Sequence, residues 1–449
     1  MTEKLIVIGG GLAGSEAAWQ AARRGIEVVL YEMRPAKLTE AHRTGLLGEL
    51  VCSNSLRSND VYSAPGLLKK ELSMAGSLIM DAAYASTVPA GSALAVDRRI
   101  FSDFITRRLS DEPHIEIIRE EVSALPETTA IIATGPLTSE RMTRSLSVLI
   151  GGDYLYFYDA IAPIIDAESI DYGKVYRASR YGKGGDDYIN CPMTKEQYAF
   201  FYRGLLEADR VAPRSFEEER VFEGCMPIEV MASRGEDTLR FGPMKPVGLP
   251  DPATGREPYA VVQLRAENRD LTAYNMVGFQ TRLKWPEQAR VFRMISGLEN
   301  AEFLRFGSLH RNTFLNGPLF LSKDLTLKNR SNIFVAGQIS GVEGYIESTA
   351  MGLIAGINAA LTLKGLPREE VPSSTAHGSL VRHISESESR NFQPSNINFG
   401  LFPSAEGSSR IRYKKQRRMK MVEKAIQDWG EYLERIYESF SVGQTQGAG

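Results

Sequence analysis

LIVIGGGLAGSEAAWQAARRGIEVVLYE, residues 5–32, decides the fold. The apolar run Leu5 to Ile8 reads as a buried strand, residues 14–24 as a helix and residues 27–31 as a second strand. Arg23 and Arg24 followed by Gly25 give that helix a basic last turn and a glycine stop. Between strand and helix lies Gly9-x-Gly11-x-x-Gly14, and Glu32 closes the second strand 18 positions after Gly14. The glycine spacing alone is a weak signal. Inside a strand–turn–helix–strand unit that ends on an acid, it is a dinucleotide-binding fingerprint. Gly9 permits the tight turn, Gly11 lets the backbone approach a pyrophosphate, and Gly14 lets helix and strand pack closely. The turn and helix start, with Gly10, Leu12 and Ala13, offer free N–H groups and a partial positive charge to phosphate. Glu32 is placed to accept hydrogen bonds from a ribose.

Outward from this unit, TAIIAT (129–134) reads as a strand running into Gly135-Pro136, and NIFVA (332–336) as another, followed by Gly337, Gly341 and Gly344. A helix is expected at about 348–363, with small residues Ala350, Gly352, Ala355 and Gly356 along it. A fingerprint early in the chain with a second glycine-rich crossing far downstream favours FAD over NAD, with Gly337 and Gln338 at the flavin. Gln338 stands where many flavoenzymes carry an acid. YGKGGDD at 181–187 is not a second fingerprint. From about 155 to 325, short alternating strands mix with helices and Gly/Pro turns. The expected class is therefore α/β: a Rossmann-like FAD-binding domain with an inserted α+β domain. The expected division is 1–155, 156–325 and 326–440, with 441–449 a disordered tail. Residues 38–66 read as a long ordered loop and 368–412 as weakly periodic. A last helix at about 414–440 has Val422, Ala425, Ile426, Trp429, Leu433, Ile436 and Phe440 on one face.

Composition narrows the classes. The 53 basic and 55 acidic residues sum to −2, which excludes a grossly basic nucleic-acid protein but not a local patch. Three cysteines in 449 residues exclude a disulfide scaffold. No signal-peptide pattern is visible, and no uninterrupted apolar run nears the roughly 18 residues of a membrane span. A cytoplasmic protein with reduced thiols is expected, with no membrane association and no protein partner. No metal-ligand spacing is evident. Cys52 lies among polar neighbours in ELVCSNSLRS, and Arg57 nearby in sequence can favour its thiolate. Cys225 lies in the loop-like FEGCMPIE, while Cys191 precedes Pro192 in a strand-like stretch and reads as structural.

Taken together, GGGLAGSEAA (9–18), ELVCSNSLRS (49–58), FEGCMPIE (222–229) and VAGQISGVEGYIEST (335–349) resemble one family over nearly the whole chain. It is the folate- and FAD-dependent tRNA (uracil-5-)-methyltransferase family, TrmFO, related to the larger flavoprotein MnmG/GidA. The resemblance implies methylation of the T-loop uridine at tRNA position 54. The carbon would come from 5,10-methylenetetrahydrofolate, and the reducing equivalents from NAD(P)H through FAD. It also gives two thiols work to do. One adds to carbon 6 of uracil to make carbon 5 nucleophilic, and an acid/base removes the carbon-5 proton. Cys225 is the expected nucleophile and Cys52 the expected acid/base, with the reverse assignment open. His310, in the loop-like SLHRNTFLN, is the candidate to stack on the folate pterin, and Arg311 and Asn312 to reach folate or phosphate. The tRNA footprint is expected at 410–420, where Arg410, Arg412, Lys414, Lys415, Arg417, Arg418 and Lys420 stand without an acid.

Three other readings compete. An MnmG-like wobble-uridine modifier would carry a further C-terminal helical domain and lack ELVCSNS. A tRNA-binding chaperone flavoprotein would not need Cys225. A plain NAD(P)H oxidoreductase would not depend on RNA.

Overall fold

Val7 is flanked by Leu30 on one side and Ile131 on the other, all three fully buried, in a parallel arrangement. Strands covered on both faces are apolar at successive positions, which is why LIVI does not alternate. These strands belong to the first sheet of a computed structural model, which describes residues 3–39, 41–150, 155–211, 226–403 and 414–446. The sheet order is Thr326–Leu327, Arg330–Val335, Ala130–Ile132, Leu5–Ile8, Val28–Tyr31, Ile115–Ile118. The first strand is antiparallel to its neighbour, and the other pairings are parallel.

The fingerprint helix, Leu12–Ala22, packs on the helix Tyr345–Leu363. The small residues are the reason. A Cβ on Gly352 would stand 2.2 Å from the Ala13 carbonyl oxygen, and one on Gly356 2.6 Å from that of Ala17. Tyr345–Leu363 also corrects an expectation. Its 19 residues are enough by length and composition to cross a membrane. Glu347, Ser348, Thr349 and Asn358 interrupt the run, so no unbroken apolar stretch shows in the sequence. Of its most apolar window, 83% is buried inside the fold.

A second sheet is antiparallel throughout, in the order Tyr176–Arg177, Tyr188–Met193, Ala260–Ala266, Ala273–Met276, Ile164–Asp166, Phe303–Arg305. Buried residues form two large cores. One joins residues 5–146 to 314–436, and the other draws on 165–301. A ribbon of Leu155–Ile161 and Ser308–Phe314 lies between them in sequence.

Several local expectations change. His310 sits in the strand Ser308–Phe314, opposite Asp159, rather than in a loop. The long loop contains the strand Ser55–Ser58, which pairs with Ala93–Val96, and gives way to the helix Ala64–Met74. The weakly periodic region contains the helix Ala376–Glu386. That helix is stabilised from outside: the buried Glu71 carboxylate accepts from the N–H groups of Ala376 and His377 at 2.8 and 3.0 Å. The last helix runs Lys414–Gln446, past the expected tail boundary, because a helix propagates at little cost per residue once nucleated. Its Val422, Ala425, Trp429, Leu433 and Ile436 are buried, and Ile426 and Phe440 partly so.

Candidate active site

A cleft opens at the carboxyl ends of the parallel strands. Gly9, Gly11, Leu12, Ala13, Glu32, Gly337 and Gln338 line it, so both glycine-rich crossings meet at one place. Gly10 and Gly14 act from behind. The Gly10 N–H donates to Glu32 at 2.9 Å, and a Cβ on Gly14 would stand 1.8 Å from the Gly9 carbonyl oxygen. Gly9 has φ +106 and lies against the Ala133 carbonyl, so only glycine fits the turn. A Cβ on Gly11 meets nothing within 4 Å, because it would project into open space at the helix start. That start has no side-chain cap, which leaves its N–H groups for a ligand. The donors and the open approach at Gly11 fit a dinucleotide.

Glu32 differs from expectation. Its Oε1 accepts from Arg34 N and Nε at 3.0 and 2.9 Å, and its Oε2 from Gly10 N and Arg34 Nη2, both at 2.9 Å. Burial works against the charge of Glu32, but Arg34 outweighs it and holds the carboxyl below its ordinary range. A carboxylate has about four acceptor sites. A ribose reaching Glu32 must therefore share it with Arg34.

A second pocket adjoins the cleft and shares Val51, Pro136, Leu137, Gln338 and Tyr345 with it. Cys52 and Asn312 line this pocket. The Cys52 segment is the seam between the two sheets. The N–H groups of Cys52 and Ser53 donate to Tyr345 Oη at 2.7 and 3.1 Å. Arg98 Nη2 donates to the Cys52 carbonyl at 2.8 Å while its Nε holds Glu267 at 2.7 Å. From the second sheet, Arg265 reaches Asn54 and Ser53 at 3.0 and 2.8 Å, and Arg305 donates to the Val51 carbonyl. Burial and the neighbouring Cys52 push the Tyr345 phenol up, so it stays neutral. Burial and Arg98 bring Arg305 down to about 10, still protonated at neutral pH. Arg57 lines the same pocket as Cys52 and pairs with Glu347 at 3.4 Å. Long-range arginines, not the one nearest in sequence, serve the cysteine segment.

The acid absent at Gln338 is supplied from elsewhere: Gln338 Nε2 donates to Glu343 Oε2 at 2.5 Å. Glu347 is fully buried, burial pushes its carboxyl up, and its Oε2 has no hydrogen-bond partner among the described residues. Cys191 is fully buried in its strand, and burial pushes its thiol up. Cys225, Arg410 and Arg412 fall outside the described residues, as do the side chains of His310, Arg311 and Lys414. Ile228, three positions after Cys225, donates through its N–H to the carbonyl of Gln280 at 2.7 Å, and Gln280 lines the Cys52 pocket. Lys415, Arg417, Arg418 and Lys420 are exposed on the last helix, with Arg418 over the ring of Phe399. No group of three or more His, Cys, Asp or Glu residues suited to a metal occurs among the described residues.

A family model described as glucose inhibited division protein A matches residues 4–367. A methylenetetrahydrofolate--tRNA-(uracil-5-)-methyltransferase TrmFO of Moorella thermoacetica is 57% identical over 430 residues, covering 96% of this chain and 98% of its own. That of Pelobacter propionicus is 57% identical over 452 aligned positions, covering 100% and 99%. The chain belongs to the TrmFO family. Its fold is also that of Aquifex aeolicus GidA, with a TM-score of 0.69 at 17% identity over 98% of this chain and 75% of that one. Within this TrmFO-family chain, sequence reasoning missed Tyr345, Arg98, Arg265 and Arg305. Tyr345 lay inside a quoted motif, but the arginines carry no local signal because their partners are remote in sequence.

Proposed function

We propose that this chain methylates carbon 5 of the T-loop uridine of tRNA at position 54, with 5,10-methylenetetrahydrofolate as carbon donor and NAD(P)H as reductant. The observation that carries the reading is the junction of the Cys52 pocket with the dinucleotide cleft through five shared residues. The fingerprint turn, Glu32 with Arg34, Gly337 and Gln338 would hold FAD. When bound, FAD supplies the reducing equivalents from NAD(P)H that complete the methyl group.

The chain's own part is thiol chemistry. The Cys225 thiolate adds to carbon 6 of uracil, and the displaced π electrons make carbon 5 the nucleophile toward the one-carbon unit. Cys52 takes the carbon-5 proton, the ring double bond re-forms, and the carbon–sulfur bond breaks to release the Cys225 thiolate. Tyr345 and Arg98 hold the backbone of Cys52 for that transfer, and Arg265 and Arg305 hold Ser53, Asn54 and Val51 on either side of it. His310 and Asn312 are assigned to the folate side, and the basic start of the last helix to tRNA phosphates. The site of action is the reducing cytoplasm, which suits the free thiols Cys52 and Cys191.

The test is nucleoside analysis of unmodified tRNA incubated with the purified yellow protein. The expected outcome is 5-methyluridine only when methylenetetrahydrofolate and NAD(P)H are both present. Methyl transfer from S-adenosylmethionine would refute it.

A further inference from the structure

Trp285 is 62% exposed, although it opens a helix that packs into the second core. Its indole lies on Phe306 with centroids 5.7 Å apart and planes 13° from parallel, and Phe306 lies on Phe303 at 5.1 Å and 22°. Phe303 then meets Phe292 in the core at 6.4 Å. A column of rings thus rises from the core and ends in an open indole face.

The column is pinned. Pro286 fixes the first turn of the helix Trp285–Phe292. The fully buried Gln288 donates to the carbonyls of Gly307 and Leu283 at 2.9 and 2.7 Å and accepts from Gly307 N at 2.7 Å. This clamp holds the Phe306 turn against the helix, so the indole face is set before any ligand arrives.

Sequence neighbours of the column reach the Cys52 pocket. Gln280, five positions before Trp285, lines that pocket, and Arg305, next to Phe306, holds the Val51 carbonyl. An aromatic face fixed at such a place is suited to the π-face of an unpaired base, which stacks whatever its identity. The neighbouring cations are already paired, Lys284 with Asp209 at 3.0 Å and Arg290 with Glu287 at 2.6 Å, so the face offers an aromatic surface rather than a charge.

We propose that Trp285, seated on Phe306 and Phe303, is a stacking platform for an unpaired base of the tRNA that flanks the target uridine. The proposal rests on the reading of tRNA as the substrate. It is a docking role, separate from the cysteine chemistry.

The experiment uses flavin-loaded protein and a T-arm stem-loop RNA. Of the three tryptophans, Trp19 is 8% exposed and Trp429 fully buried, so RNA contact should be reported by Trp285. The stem-loop should quench wild-type tryptophan emission. Trp285→Ala should bind the RNA about 5- to 150-fold more weakly, the range of base–aromatic stacking. The same variant should raise KM for tRNA, with kcat and flavin content unchanged, and Trp285→Phe should recover most of the affinity. Undiminished RNA affinity in Trp285→Ala, or a change only in its oligomeric state, overturns the proposal. Wild-type protein that binds the stem-loop at Trp285 yet forms no 5-methyluridine defeats the reading of the reaction and leaves the platform standing. Wild-type protein that binds no RNA defeats both.

Discussion

Gly11 and Gly14 sit three positions apart, yet alanine should fail at each for a different reason. At Gly14 the new methyl would lie 1.8 Å from the Gly9 carbonyl oxygen and 3.3 Å from the Ala133 side chain. Ordinary contact then requires the helix start to shift by about 1.5 Å in a close-packed interior. Overpacking of this kind costs about 2–3 kcal/mol, or roughly 2–3 °C in Tm at about 2.1 cal/mol/K per residue over the 449-residue chain. At Gly11, φ is −74, the methyl meets nothing within 4 Å, and the backbone is open to any residue. The weaker N-cap costs about 0.5–1 kcal/mol, and the stiffer unfolded chain returns about 0.4–1 kcal/mol. Gly11→Ala should therefore melt within about 1 °C of wild type without added FAD. Its methyl nevertheless occupies the approach to the pyrophosphate. FAD affinity should fall at least about tenfold, or roughly 1.4 kcal/mol. The assay pairs the ratio of 450 nm to 280 nm absorbance with melts taken before and after excess FAD. Wild type should gain Tm on adding FAD, whereas Gly11→Ala should gain little. A Gly11→Ala protein that purifies with full flavin would refute placement of the pyrophosphate at this turn, and an unshifted Gly14→Ala melt would refute the packing argument.

Cys225→Ala and Cys52→Ala should each keep flavin and bind tRNA while forming no 5-methyluridine; turnover in either variant removes that residue from the mechanism. Burial raises the Glu16 carboxyl to about 7 despite hydrogen bonds from Gln20, Ser77 and Ile79. Its stabilising contribution is thus full below the ordinary carboxyl value of 4.5 and is lost as pH rises through about 7. Urea midpoints from pH 5 to 8 should fall less steeply in Glu16→Gln than in wild type, and equal slopes would count against it. Replacing Lys415, Arg417 and Lys420 by Gln should weaken tRNA binding at low salt, and each lost phosphate contact should reduce the salt slope by about one. An unchanged slope would make that stripe a solvated helix face.

Much of the dinucleotide cleft was legible because its signals are local. Gly9, Gly11 and Gly14 act within one turn, and NIFVA with Gly337 repeats the same strand-to-turn logic. The helix Ala376–Glu386 was not legible, because Glu71, far away in sequence, satisfies its first N–H groups. The role of Glu32 was legible only in part. Arg34 stands two residues away, but only the fold shows that it shares the carboxylate with Gly10. Arg57 lines the Cys52 pocket, as its place in the sequence suggested, but its guanidinium faces Glu347, which only the fold shows.

By itself, the sequence determined the order of strands and helices around the fingerprint, the identity of the two reactive-thiol candidates and the family resemblance, since these rest on short-range periodicity and motif spacing. Only the tertiary structure decided that Cys52 lines a pocket joined to the dinucleotide cleft, with its backbone held by Tyr345 and Arg98 and its neighbours by Arg265 and Arg305 of the second sheet. Those partners lie tens to hundreds of residues from Cys52. Such contacts arise when the two cores pack and the buried loop must find hydrogen-bond donors and acceptors, and no pattern within a single segment encodes them.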